Sequence, residues 1–375
     1  MNLNSKVITG IFAAVIFGLA VLNLLAPKRD FSENENRMLA QMPKLSAETI
    51  LNGKFPSGFD EYITDQFVAR DFWISAKTMS EIALQKRSSN GVYFAKNGTL
   101  IEMFDSVDIS RFERNIGFLR DFSDRMQSGL NIKTDIMLVP STSMILSNQL
   151  PPFAPEVDQR AMLDYAAENL PGFVDTSAAL TAKNSEYIFY GTDHHWTSLG
   201  AFYAYNYWRT QNGLAEKDIT GYNTTVLSDD FYGTIYSKAN TYTIPPDTIH
   251  AIYPKDAGKI QVDYNNENPP ADSIYEYSFL DVKDKYSVFL NANQPIVNIK
   301  TENENGRKLL VIKDSYANSF AQFLLSDYSE IVIIDPRYYK TSVYDYAKEN
   351  AVTDVLVLYS IKGFSADSNI YFLTT

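Results

Sequence analysis

Arg307-Lys308-Leu309-Leu310-Val311-Ile312-Lys313-Asp314-Ser315-Tyr316-Ala317-Asn318-Ser319-Phe320-Ala321-Gln322-Phe323-Leu324-Leu325 decides how the rest of the chain is read. Its apolar run from Leu309 to Ile312 shows no alternation, which suits a strand buried on both faces. Asp314-Ser315 makes the turn, and apolar residues then recur at helical spacing up to Leu325. Another strand, Glu330 to Ile334, ends at Asp335-Pro336-Arg337, and a last one, Val355 to Leu358, ends at Tyr359. Strand–helix–strand alternation predicts parallel strands joined by right-handed crossovers, an α/β fold.

Upstream, Thr134 to Val139 reads as a buried strand ending at Pro140-Ser141-Thr142-Ser143. Ala161 to Asn169 reads as a helix, and Gly172-Phe173-Val174-Asp175 starts a short strand. Two apolar runs around Asn97-Gly98 predict a hairpin between Gly91 and Ile101, and Asp108 to Met126 has a helical pattern. Residues 214–306 change character: polar turns at Asp229-Asp230, Pro245-Pro246-Asp247 and Asn265–Pro270 separate short Tyr, Ile and Val runs. They are expected to form a β-rich insertion beside the core. Residues 30–90 have helix-like spacing at Ile50, Leu51, Phe55, Phe59 and Ile63, a juxtamembrane helical region whose charges form a solvated face. The expected division is 1–29, 30–90 and 91–375.

Ser315 stands at the carboxyl end of a predicted strand, where open α/β sheets build their sites. It also begins a helix, so its own N–H and the next few are expected to be unpaired, a ready oxyanion hole. A strand-end serine also serves commonly as a plain helix cap. A serine hydroxyl needs an adjacent base. The chain has three histidines, two of them in Tyr190-Gly191-Thr192-Asp193-His194-His195-Trp196-Thr197-Ser198-Leu199-Gly200, the third being His250. Thr197 is a good N-cap for a helix whose Leu199, Phe202, Tyr203 and Tyr207 share a face and which Gly213 stops. Asp193 and His195 then lie in the turn before a helix. His195 would act as the base, with Asp193 fixing its tautomer. A structural turn and a metal site are the competing readings of Asp-His-His. The metal reading lacks a second ligand pair, and the chain has no Cys.

Val7 to Ala26 is an uncharged run of 20 residues, long enough to cross a bilayer. It exceeds a usual signal-peptide core and lacks a small-residue cleavage site, so an uncleaved signal-anchor is expected over a cleaved signal peptide. Of the 33 Lys and Arg, three lie in the first 29 residues and none of the 45 acids does, so the remainder carries a net charge of −15. That balance argues against nucleic acid as a partner. The absence of Cys excludes thiol chemistry and disulfides. With 25 Tyr and 23 Phe the chain is no disordered segment.

Thr192-Asp193-His194-His195-Trp196, followed by Lys313-Asp314-Ser315-Tyr316, resembles the DHHW proteins, relatives of the SGNH-like alginate O-acetyltransferases. The resemblance covers most of the chain after the apolar run, including Phe31–Arg37, Asp65–Asp71, Gly91–Phe94, Pro140 onward and Asp335–Tyr339. It implies an SGNH-hydrolase-like three-layer α/β/α fold and a Ser315–His195–Asp193 triad. It also implies acetyl transfer to, or removal from, a polysaccharide hydroxyl outside the membrane. The implied partner is a multi-spanning membrane-bound O-acyltransferase that delivers the acetyl group, with no cofactor or metal held by the chain. His195 matches the family histidine and His194 the variable middle position. Lys313 stands where the SGNH serine block has glycine, and the family's glycine and asparagine oxyanion donors have no clear match. Asn293, Asn318, His194 and Tyr316 are candidates near the oxyanion or substrate, and Arg337 for a substrate carboxylate or an ion pair with Asp335. The expected protein is a single-pass membrane O-acetyltransferase with its catalytic domain extracytoplasmic. An acetylesterase of the same fold, or a non-catalytic glycan-binding subunit, is the alternative.

Overall fold

The computed structural model describes residues 3–32, 37–241, 243–265 and 270–374. Residues 33–36 of the Phe31–Arg37 stretch and 266–269 of the Asn265–Pro270 turn lie outside them. The chain divides into two compact units, Met1–Ser89 with Ser237–Thr243, and Asn90–Tyr236 with Ile244–Thr375.

The larger unit is built on one six-stranded sheet: β1 Thr134–Val139, β2 Ile260–Tyr264, β3 Ile296–Thr301, β4 Lys308–Lys313, β5 Glu330–Ile334 and β6 Asp354–Ser360. The spatial order is β1-β6-β4-β5-β3-β2. The first four run parallel, and β3 and β2 close the sheet antiparallel. Gly172–Val174 adds backbone bonds to Ile136 on the outer side of β1. The inner strands lack alternation because both faces are covered. Met137, Val311, Ile333 and Leu356 belong to one core; Ile136, Leu310, Val332 and Val357 belong to the other. Ser198–Gln211 and Tyr316–Phe320 contribute to the first core. Ile109–Leu130, Gln159–Asn169, Val343–Glu349 and Ile361–Ala366 contribute to the second. The result is the three-layer α/β/α arrangement.

Two details depart from the sequence reading. Part of the 214–306 region is no insertion beside the core: β2 and β3 complete the sheet, and the hairpin Tyr222–Phe231/Asp247–Pro254 forms a separate ribbon. Their polar neighbours hide runs that, once β3 pairs with β5 and β2 with β3, bury Val262, Val297 and Ile299. The helix after Thr197 buries Ala201, Ala204, Tyr205 and Trp208 together with Phe202, while Leu199, Tyr203 and Tyr207 are only partly buried. Small residues let the helix approach its neighbours, and a reading weighted toward bulk overlooked them.

The Asn97-Gly98 hairpin forms, pairing Val92–Phe94 with Leu100–Glu102, with Gly98 at φ +81°. In the smaller unit, helix Leu3–Leu25 precedes Ala47–Leu51, Lys54–Asp65 and Arg70–Ala83. Buried Asp65 is its hub, accepting two bonds from Arg37 and one from the Ala40 amide. The Arg37 guanidinium, with the Ala40 amide, holds the Asp65 carboxyl below its usual range against the opposing effect of burial.

Candidate active site

Four parallel strands end on one edge of the sheet, and Ser315 sits just past the end of β4. The 187–197 turn reaches that edge because its ends are tied down. Thr197 caps Ser198–Gln211 through the Gly200 amide, and Thr197 N–H bonds the Ile188 carbonyl. Trp196, wholly buried, donates its indole N–H to the Tyr316 carbonyl at 2.9 Å and stacks on Phe320. One aromatic side chain thus joins the histidine turn to the serine turn 120 residues away.

His195 Nε2 lies 2.7 Å from Ser315 Oγ, and His195 Nδ1 lies 2.5 Å from Asp193 Oδ1. An ionised carboxylate only accepts, so Nδ1 carries the proton and Nε2 is free to take one from the serine. Asp193 is fixed further. Its Oδ1 accepts the His195 amide, and its Oδ2 accepts the Thr234 amide at 2.8 Å and the Thr234 hydroxyl at 3.0 Å. Gly233 permits this approach: a Cβ there would fall 2.3 Å from Asp193 Cβ and Oδ2. Burial disfavours the Asp193 charge, but the two imidazoles and the hydrogen bonds from His195 and Thr234 reverse that, holding the carboxyl well below its usual range. For His195, burial and then the neighbouring His194 outweigh the attraction of Asp193 and lower its pKa to about 4. The imidazole is therefore neutral at pH 7, the state a base requires.

Several supports had no signal in the sequence. Tyr286 lies face to face with His195, ring centroids 3.8 Å apart and planes 11° apart. Its hydroxyl reaches the Ser315 carbonyl and Ser319 Oγ, both at 3.1 Å. Buried Asp247, read only as part of a Pro-Pro-Asp turn, accepts the Gly191 and Thr192 amides and the Tyr187 hydroxyl. Asp314 ties β4 to β6, accepting from the Tyr316 amide and from the Ser360 amide and hydroxyl.

The minor candidates are held mostly by the protein's own groups, and of the two readings of Arg337 the pair with Asp335 is the one seen. Asn293 and Asn318 both turn Oδ1 onto the buried Lys313 ammonium at 2.8 Å, and Asn318 Nδ2 faces Asn293 Oδ1 and the Ala292 carbonyl at 3.4 Å. The cause is Lys313, which lies in the interior and needs acceptors; burial lowers its pKa to about 8. Arg337 makes a two-point pair with Asp335, which also faces Lys313 at 3.5 Å, so the carboxylate it holds is the protein's own. Tyr316 gives its hydroxyl to the His194 carbonyl and its amide to Asp314. His194 Nδ1 is 2.8 Å from Thr234 Oγ1 and its ring is a third exposed. The expected run of free amides shrinks as well. From Ser315 to Asn318, only the Ser315 N–H makes no hydrogen bond among the described residues. Asp193, His194 and His195 cluster closely enough for a metal, but His195 already spends both ring nitrogens on Asp193 and Ser315. His250 stands apart on the hairpin, where its carbonyl accepts the Ser198 hydroxyl.

A three-layer sheet that sets a strand-end serine against a histidine–aspartate pair defines the SGNH-like class of α/β folds. Residues 168–334 match the DHHW protein family, so the resemblance read from Thr192–Trp196 holds. A DHHW family protein from Eubacterium siraeum superposes with TM-score 0.65 at 26% identity, over 76% of this chain and 96% of that one. Bacillus cereus PatB1 with a sulfonyl adduct superposes with TM-score 0.63 at 22% identity, over 75% of this chain and 97% of that one. No curated protein matches the sequence.

Proposed function

We propose that the chain is a membrane-anchored, extracytoplasmic O-acetyltransferase acting on hydroxyls of a cell-surface or secreted polysaccharide. The observation that carries the reading is the hydrogen-bonded line Ser315 Oγ–His195 Nε2 and His195 Nδ1–Asp193 Oδ1, at 2.7 and 2.5 Å. His195 takes the Ser315 proton as Oγ attacks the acetyl carbonyl of a donor, and returns it to the departing group. The Ser315 N–H is the donor placed for the developing oxyanion. A sugar hydroxyl, deprotonated by His195, then attacks the acetyl carbonyl, the bond to Ser315 Oγ breaks, and His195 returns the proton to that oxygen. The donor is a membrane-bound O-acyltransferase that presents the acetyl group at the bilayer. The helix Asn4–Leu25, 22 residues long and containing an 18-residue stretch of mean hydropathy 2.4, supports anchoring at that surface.

Water can resolve the same acyl-enzyme, which would make the chain an acetylesterase. The full-length protein in detergent, given a chromogenic acetate ester and an oligosaccharide acceptor, distinguishes the two by mass spectrometry of the acceptor. Acetylated acceptor from the wild type, and none from Ser315→Ala, is expected. Acetate release without acceptor product would make it an esterase, and equal rates in Ser315→Ala would remove the serine from the chemistry.

A further inference from the structure

The smaller unit exposes apolar side chains that its own core does not use. Phe72 is 58% exposed and Trp73 46%, their rings edge to face at 5.3 Å; Leu51 and Ile63 are exposed on neighbouring helices and Leu84 at the end of the same one. An exposed Trp–Phe pair on a water-facing surface is uncommon without a partner. A chain of hydrogen bonds identifies the partner. In the last turn of the apolar helix, Asn23 Oδ1 accepts the Val68 amide at 2.7 Å, and the Val68 carbonyl accepts the Trp73 indole N–H at 3.2 Å. Two residues before Val68 the connection is made again: Gln66 exchanges bonds with the Arg29 amide and carbonyl at 3.0 and 2.8 Å, and Arg29 pairs with Asp71. Lys28 lies over the Tyr62 ring at 5.2 Å. The helix end and the Phe72–Trp73 pair are therefore held at one level.

We infer that Phe72 and Trp73 insert into the bilayer–water interface on the side where the apolar helix emerges, seating the smaller unit on the lipid surface. This rests on the reading of Asn4–Leu25 as membrane-spanning. If that helix crosses the hydrocarbon, Asn23 lies at its polar boundary, and Trp73 is separated from it by one residue and two hydrogen bonds. Tryptophan favours that depth when its N–H is satisfied and its ring is desolvated. Here the N–H is already satisfied within the protein, so the ring can enter the headgroup region without leaving a donor unpaired. Lys28 and Arg29 just past the helix suit the anionic headgroups at the same boundary.

The test uses the full-length chain reconstituted in phosphatidylcholine–phosphatidylglycerol vesicles, with and without lipids brominated near the headgroup. Trp196 and Trp208 are buried, so the emission lost in Trp73→Phe reports the surface indole. That difference emission should be quenched at least about twofold by brominated lipid and be shielded from aqueous acrylamide. Vesicle flotation of the wild type is measured alongside. Flotation with Trp73 emission indifferent to bromine overturns the inference while leaving the anchor standing. Shielding from acrylamide without bromine quenching also overturns it, in favour of a protein occupant. Loss of flotation overturns the anchor and the inference together.

Discussion

Gly233→Ala is the sharpest perturbation the geometry offers, because it touches neither the serine nor the histidine. A methyl at Gly233 would meet Asp193 Cβ and Oδ2 at 2.3 Å and Cγ at 2.6 Å. Ordinary contact needs at least 3.4 Å, so the carboxylate or the 233–234 backbone must retreat by about 1 Å. Either movement breaks the pair of bonds from Thr234 to Asp193 Oδ2, and the 2.5 Å contact to His195 Nδ1 cannot survive it unchanged. A displacement of about 1 Å in a catalytic constellation costs roughly a hundredfold in rate, or about 2.7 kcal/mol of barrier. The loss should fall on kcat, since the imidazolium that Asp193 stabilises forms only in the transition state. Acetate release from a chromogenic ester by the full-length protein in detergent, beside a thermal melt, measures both effects. A variant that melts cooperatively yet releases acetate within about twofold of the wild type would refute the role given to Asp193.

Three further outcomes follow from the same contacts. Because the His195 pKa is depressed to about 4 and the base must be neutral, activity should persist as pH falls and be half lost near 4. A kcat/KM profile with its acid limb near the ordinary histidine value of about 6.5 would contradict that. Tyr286→Phe keeps the ring on His195 and loses the bonds to Ser315 and Ser319, whereas Tyr286→Leu loses both. Leu should cost about tenfold in kcat and move the acid limb to lower pH, since the ring face no longer supports the imidazolium, with Phe in between; equal Phe and Leu variants would count against the stack. Lys313→Met should release Asn293 and Asn318 from their common anchor and lower kcat about tenfold with the fold kept. Unchanged kinetics would make the buried ammonium a packing element alone.

The parallel strands and the serine turn were legible because a doubly buried strand leaves a continuous apolar run and because sites gather at strand ends. Asp193 and His195 stood out because histidine is so rare in this chain. What stayed hidden depended on long-range placement. Tyr286, Gly233 and Asp247 look like ordinary loop residues until the chain folds them against the 190–196 turn, and no local period marks them. For Asn293 and Asn318 the sequence leaves a structural role open beside an oxyanion one, and for Arg337 a pair with Asp335 beside a substrate carboxylate. Lys313 and Asp335 claim them, and the burial of a lysine cannot be read from a position that looks like a simple replacement of glycine. The antiparallel strands Ile260–Tyr264, at the sheet edge, and Ile296–Thr301, next to it, were obscured by their polar surroundings, which break up the continuous apolar run that marks the inner parallel strands.

Trapping the covalent species reaches the centre of the proposal. Full-length protein mixed with excess chromogenic acetate ester, quenched in acid within the first turnover and digested, should carry one acetyl on the peptide containing Ser315. The Ser315→Ala protein should carry none there, and His195→Ala should carry far less. A first-turnover sample with acetate released but Ser315 unmodified would contradict the acetyl-serine route outright.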